Sequence, residues 1–257
     1  MERARELIKP YLEKPGVIGI YLVGSASRPF RDPLSDYDIE VALEDAAYDD
    51  TPLEERHVFL IDEGPPRRVD HEFYLRPWSE LAALEGSPRD IDHYPFRHAR
   101  ILHDPEGRLK ELFGRLAKLP QGVRDERLKV HYLEAVFGLG RAIKCLERGK
   151  KLEARLVLGQ AGDALVKLLS VARGSWAPTL HWAGEELRLL GIPEEILRRV
   201  DELLSNPTRE GCEAVRHALD AFLDDLGLDF HRDRLALVRW AFLTEEGKRA
   251  FLTWGIR

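Results

Sequence analysis

Val17-Ile18-Gly19-Ile20-Tyr21-Leu22-Val23-Gly24-Ser25, followed after a short segment by Ser35-Asp36-Tyr37-Asp38-Ile39-Glu40-Val41-Ala42-Leu43, is the stretch from which the fold follows. The first part is a short apolar run rich in β-branched residues that stops at a glycine, which predicts a buried strand. The second alternates, with Tyr37, Ile39, Val41 and Leu43 on one side and Asp36, Asp38 and Glu40 on the other. A strand rises ~3.3 Å per residue and turns successive side chains to opposite faces, so the α-carbons of Asp36 and Asp38 should lie roughly 6.5 Å apart on one face. A tight turn suited to phosphate thus stands just ahead of two carboxylates able to converge.

Outward from this stretch, the first half reads as mixed. Glu2 to Leu12 is expected to be a helix, and the acidic run Glu44 to Glu55 a loop or short helix. His57 to Asp62 and Arg68 to Leu75 read as strands joined through the turn signal Glu63-Gly64-Pro65-Pro66. Pro77 suits the first turn of a helix running to Glu85. Ala99 to Pro105 is expected as a short edge strand and Glu106 to Leu116 as a helix. After Leu119-Pro120-Gln121-Gly122 the pattern is helical throughout. Val130, Leu133, Val136, Phe137, Gly140 and Ile143, then Leu152, Leu156, Ala161, Leu165, Leu168 and Leu169, recur at spacings of three to five residues and predict two long amphipathic helices. Shorter helices are expected over 180–190, 193–204 and 208–226. The fold class is therefore α+β: a small mixed-sheet domain over 1–119, then an all-α bundle over 120–257.

Composition narrows the function. The 257 residues are 44% apolar and 33% charged, an ordinary globular balance. No apolar run approaches the ~20 residues that cross a bilayer, and Met1-Glu2-Arg3-Ala4-Arg5-Glu6 lacks the apolar core of a signal peptide, so a cytoplasmic protein with no membrane partner is expected. Cys145 and Cys212 stand alone, which argues against zinc and disulfide frameworks. Asn206 is the single asparagine and glutamine occurs only at 121 and 160, a scarcity of thermolabile residues that points to a heat-adapted source. Of the net charge of −6, residues 1–110 carry −8 and residues 111–257 carry +2. An acidic half suits Mg²⁺ and a cationic acceptor and disfavours a long nucleic acid.

Paired carboxylates at this spacing are natural hard ligands for two divalent cations ~3.5 to 4 Å apart, which clamp the attacking and leaving oxygens of a phosphoryl displacement. Asp36 and Asp38 are the expected ligands. Asp70, on a neighbouring strand, is the expected third acid, with Glu72 on the same face as its rival. Gly24 and Ser25 can aim N–H groups and a hydroxyl at the β- and γ-phosphates, aided by the start of a short following helix. Arg28 could reach a phosphate, with a loop-surface arginine equally credible because Pro29 follows it, and Ser35, beside the acids, is a further candidate nucleotide contact. No Gly-x-x-x-x-Gly-Lys-Ser/Thr, Gly-x-Gly-x-x-Gly or Gly-x-Ser-x-Gly motif is present. His93, His98 and His103, at five-residue spacing, match no zinc motif and read as structural or surface residues. Trp176, Trp182, Trp240 and Trp254 read as packing residues of the helical half.

In Leu22-Val23-Gly24-Ser25 and Ser35-Asp36-Tyr37-Asp38-Ile39 the chain resembles the nucleotidyltransferase superfamily, which shares its fold with DNA polymerase β and with kanamycin- and lincosamide-type antibiotic nucleotidyltransferases. Ile101-Leu102-His103-Asp104-Pro105-Glu106-Gly107 is similar to a segment found late in such domains, and the motif match spans residues 17 to 110. The resemblance implies that Asp36 and Asp38 hold two Mg²⁺ ions with Asp70 as third ligand, and that Gly24 and Ser25 contact an NTP. The helical half is similar to helical domains that help form an acceptor pocket in relatives and present a general base, for which Glu134 is the candidate. The expected activity is transfer of a nucleoside monophosphate to the hydroxyl of a small acceptor with release of pyrophosphate, in a possible homodimer. A regulatory, antitoxin-like module joined to a HEPN-type helical RNase, with Arg124 and His131 as the nuclease pair, is the alternative, and a protein-modifying enzyme a third.

Overall fold

A computed structural model describes residues 2–32, 34–64 and 68–255, so Pro65 and Pro66 of the expected turn lie outside the described residues. In chain order the elements are α1 (Glu2–Leu7), α2 (Lys9–Leu12), β1 (Val17–Val23), α3 (Gly24–Ser27), β2 (Tyr37–Leu43), α4 (Asp45–Asp49), β3 (His57–Asp62), β4 (Arg68–Pro77), α5 (Trp78–Ala83), β5 (Arg100–His103) and α6 (Arg108–Leu116). The helices α7 (Gln121–Glu147), α8 (Lys151–Ala172), α9 (Ala183–Leu189), α10 (Glu194–Ser205), α11 (Arg209–Asp225), α12 (Arg234–Leu243) and α13 (Glu245–Trp254) follow. The fold is α+β, one five-stranded mixed sheet followed by helices, and the chain divides into compact units over 1–118 and 119–257.

The sheet has the order β3-β4-β2-β1-β5. All neighbouring strands are antiparallel except β2 and β4, which run parallel with Asp38 beside Glu72 and Ile39 beside Phe73. Apolar residues cover both faces of its centre, which is why β1 reads as a continuous apolar run without alternation. On one face Ile20, Leu22, Ile39, Val41, Phe73 and Leu75 pack with Ala4 and Ile8 from the N-terminal helices. On the other, Tyr21 and Ala42 meet Leu81 of α5 and Leu109, Leu112 and Phe113 of α6, the Tyr21 and Phe113 rings meeting edge to face at 4.8 Å. The expected first helix is split at Ile8, two residues ahead of Pro10, whose missing N–H cannot continue the ladder. Pro77 closes β4 rather than lying inside a helix.

In the second unit α7 and α8 form an antiparallel hairpin. Arg124, near the start of α7, donates from Nε and Nη2 to the carbonyls of Val171 and Ala172 at the end of α8, where carbonyls run out of intrahelical partners. Thr208, Asp233 and Thr244 cap α11, α12 and α13 through their side-chain oxygens. No helix among the described residues is long and apolar enough to cross a membrane.

The α7–α8 crossing is close enough that a Cβ on Gly138 would lie 2.7 Å from the Cβ of Ala161, an atom with no rotamer in which to retreat. Gly138→Val is expected to destabilise the fold by about 2 kcal/mol through forced separation of the two helices. Urea unfolding of the variant beside the wild-type chain measures it.

Candidate active site

The site is built where β1 ends. Val23 pairs with Asp38, and the next residue, Gly24, adopts φ +64°, a left-handed conformation that glycine enters without penalty. A Cβ built on Gly24 would fall 1.6 Å from Oδ2 of Asp38 and 2.6 Å from its Cγ. The aspartate carboxylate therefore occupies the volume that any other side chain at position 24 would need. Ser25, first in the turn after Gly24, directs its hydroxyl at Asp36, donating to Oδ1 at 3.2 Å. The glycine-serine turn and the two aspartates are thus in direct contact.

The third acid is set by the parallel ladder. Glu72 on β4 lies directly beside Asp38 and accepts a 2.7 Å contact from His57 Nε2 on β3. Asp70, the acid expected here, is displaced by a β-bulge: the β3–β4 pairing slips between Leu60/His71 and Ile61/Val69, which leaves Asp70 as the additional residue on β4. Its carboxylate is held instead by His71 Nδ1 at 2.8 Å and Arg3 Nη2 at 3.1 Å, and the His71 and Arg3 contacts hold it below the usual carboxylate range. Of the two acids expected as third partner, Glu72 is thus the one beside Asp38, and Asp70 lies against His71 and Arg3.

Burial, and then the charges of Asp36, Glu72 and Glu40, push the Asp38 carboxyl up to about 7 from 3.8, with Arg28 offsetting part of the effect. Arg28 is buried, not a loop-surface residue; Nη2 donates to the Tyr94 hydroxyl at 2.7 Å and the guanidinium lies 5.4 Å from the ring centroid. The Ser35 hydroxyl donates to Oδ1 of Asp32 and accepts from the Asp32 N–H, so it serves the loop's own turn. Beside Asp38 and Glu72 a shallow cavity of about 320 Å³ extends over the sheet, walled by Glu40, His57, Tyr74 and Arg76. There Glu40 accepts from the Tyr21 hydroxyl and pairs with Arg76 at 3.0 Å.

Glu134 belongs to the helical unit, where it contacts Nδ1 of the buried His131 at 3.1 Å and lines a cavity of about 270 Å³ with Phe137, Phe242 and Phe251. His131 has Arg127, not Arg124, as its arginine neighbour, Nε to Nε2 at 3.3 Å, and the rings of Trp176 and Trp254 lie 5.2 and 5.3 Å from the Arg127 guanidinium. His93 is a structural residue bridging the carbonyls of Ser87 and Leu116. Among the described residues no three His, Cys, Asp or Glu side chains converge tightly enough to hold a metal ion. The donor set still suits a hard divalent cation, since it offers carboxylate oxygens and one of them, on Asp38, carries a burial and repulsion penalty that a cation would remove.

A family model described as "Domain of unknown function (DUF4037)" matches residues 94–183, a segment that spans the boundary between the two units and excludes the acids. No curated protein matches the chain. Among solved structures, a nucleotidyltransferase-like protein from Exiguobacterium sibiricum 255-15 is similar at 17% identity over 97% of this chain and 77% of that one, with a TM-score of 0.45.

The raised Asp38 carboxyl has a measurable consequence. The folded chain keeps this proton up to about pH 7, whereas an unfolded aspartate loses it near 3.8, so ionisation of Asp38 works against folding between those values. Asp38→Asn, melted in the presence of a chelator, is expected to gain stability over wild type as pH rises from about 4 to about 7 and to hold that margin above it. A margin that shrinks as pH rises would contradict the assignment.

Proposed function

We propose that the chain is a nucleotidyltransferase that moves a nucleoside monophosphate from an NTP to an acceptor hydroxyl and releases pyrophosphate. The observation that carries this reading is the contact between the side-chain-free Gly24 backbone and the Asp38 carboxylate, with Ser25 on Asp36 and Glu72 alongside. Gly24 turns the chain out of β1 with the Asp38 carboxylate against it, which keeps Ser25 within reach of the acids, and the Ser25 hydroxyl can exchange its bond to Asp36 for one to a phosphate oxygen.

Asp36, Asp38 and Glu72, whose carboxylates do not converge in the absence of an ion, are the residues that would together hold Mg²⁺, which when bound would neutralise charge on the α-phosphate and on the departing pyrophosphate. In the reaction a bond forms from the acceptor oxygen to the α-phosphorus, the bond from that phosphorus to the bridging oxygen breaks, and the acceptor proton leaves to a base. Glu72 would take that proton, and His57, 2.7 Å from it, can orient the carboxylate or pass the proton outward. Buried Arg28 supplies fixed positive charge on the nucleotide side. The cavity walled by Glu40, His57, Tyr74 and Arg76, adjoining Asp38, is where a small polar acceptor would sit. Mg²⁺ as cofactor, an NTP as co-substrate and a hydroxylated acceptor follow as parts of the same proposal, whereas Glu134 as general base draws no support from its pairing with His131.

The helical-nuclease alternative requires an arginine and a histidine open to RNA. Arg127 and His131 are 1% and 0% exposed, and Arg124 is spent on the end of α8. Nucleotidyl transfer is therefore the better reading.

Incubation with α-labelled NTPs, Mg²⁺ and pooled hydroxylated acceptors tests it by labelled product. Asp36→Asn, Asp38→Asn and Glu72→Gln are each expected to lower transfer by about 100-fold or more, the scale seen when one electrostatic or acid–base group is removed. Asp70→Asn is expected to stay within a few-fold of wild type. Loss of activity in Asp70→Asn with full activity in Glu72→Gln would reverse the assignment of the third acid.

A further inference from the structure

The tip of the α7–α8 hairpin carries charge of the opposite sign to the chain as a whole. Between residues 141 and 155 stand Arg141, Lys144, Arg148, Lys150, Lys151 and Arg155 against Glu147 and Glu153, a net of +4 in a chain whose total is −6. All six cations are exposed, and none pairs with a carboxylate among the described residues. Glu147 is taken by Arg209 from α11, Nη1 to Oε1 at 2.7 Å. Elsewhere in the helical unit cations are commonly matched, as Lys167 is with Asp163, Arg188 with Glu194 and Arg232 with Asp224.

Helix stability accounts for only part of this cluster. Lys144 and Arg148 suit the negative end of α7. Lys150 and Lys151 are the N-cap and first residue of α8, where the helix dipole favours acids, and Lys150 offers no capping side chain to the open N–H groups. These two lysines therefore stand against the local preference. At a rise of 1.5 Å per residue, all six cations fall within roughly 10 Å of the turn along the hairpin axis, close enough to repel one another. Leu152 and Leu156 complete the patch. They are 68% and 64% exposed and stand two positions before Ala154 and Leu158, which are buried, so they point roughly 200° away from the core stripe of α8. One turn apart, they lie next to Lys151 and Arg155 in sequence.

We infer that this tip docks on the anionic surface of a lipid bilayer. Charge complementarity selects the headgroups: a cluster of four to eight lysines and arginines is drawn to anionic lipid. The two leucines select the bilayer over other polyanions, because they can enter the boundary between headgroups and acyl chains while the long stems of Lys151 and Arg155 lie beside them and keep their charged ends at the phosphates. RNA would use the cations but has no partner for exposed leucines, and residues 141–156 contain no aromatic ring on which a base could stack. Such a contact lies on the membrane and requires no spanning helix. It is separate from nucleotidyl transfer, whose acids belong to the other unit.

Flotation of the full chain with vesicles tests the contact. At physiological ionic strength the chain is expected to float with vesicles of phosphatidylglycerol and phosphatidylcholine in equal parts, and to stay behind with phosphatidylcholine alone. Lys150→Ala and Lys151→Ala are each expected to weaken partition by about fivefold. Lys150→Glu combined with Lys151→Glu is expected to abolish flotation and to melt no lower than wild type, since acids suit the start of α8. Leu152→Ser combined with Leu156→Ser leaves the charge unchanged and is expected to weaken partition by about tenfold, with circular dichroism confirming the fold. Absence of flotation, equal flotation with both vesicle compositions, or indifference to the leucine pair would overturn the inference. Indifference to the leucines together with capture of pooled tRNA at the same ionic strength would assign the tip to nucleic acid instead.

Discussion

One contact organises the first unit: the carboxylate of Asp38 fills the space in which residue 24 would carry a side chain. Two demands meet there. The backbone at 24 needs a positive φ to turn out of β1, and the pairing of Val23 with Asp38 brings an acid directly over that turn. Either demand alone favours glycine; together they admit nothing larger. The turn, both aspartates and the end of β1 are consequently fixed as one piece, with Ser25 tied to Asp36.

That arrangement is held against electrostatic opposition. Asp38 is buried and faces Asp36, Glu72 and Glu40, which is why its carboxyl holds a proton far above the ordinary range. The sheet tolerates this because apolar residues cover both faces of its centre, with Ile20, Leu22 and Ile39 on one side and Tyr21 with the α6 residues on the other. Stability is invested in the centre of the sheet, and the strand ends carry the charge. The electrostatic opposition is thus confined to an edge of the packed region and borders a cavity.

Local sequence carried a definite share of this. The alternation from Tyr37 to Leu43, the apolar run ending at Gly24 and the helical periods after residue 120 are properties of short windows, and the corresponding elements lie where those patterns place them. Side-chain partnerships have a different origin. Choosing between Asp70 and Glu72 depends on a bulge, which is a property of two paired strands and leaves no mark on either alone. Ser35 has the composition of a phosphate contact, but Asp32, three residues away, competes for its hydroxyl. Arg28 precedes a proline and so looks like loop surface, yet its partner Tyr94 lies 66 positions further on. Each of these outcomes depends on a neighbour that only the folded chain supplies.

The parallel pairing of β2 with β4 separates two kinds of freedom. Strands that run in the same direction cannot be joined by a tight turn, so the chain needs a long return path between Leu43 and Arg68, and β3 is part of that path. Asp38 and Glu72 are locked to each other by their own ladder, while the segment connecting them is under no obligation to keep its length or its outer face. Insertion, deletion or remodelling along this detour can reshape the outer edge of the sheet while leaving the register of Asp38 with Glu72 untouched, so that rim and acid pair can diverge independently within one small sheet.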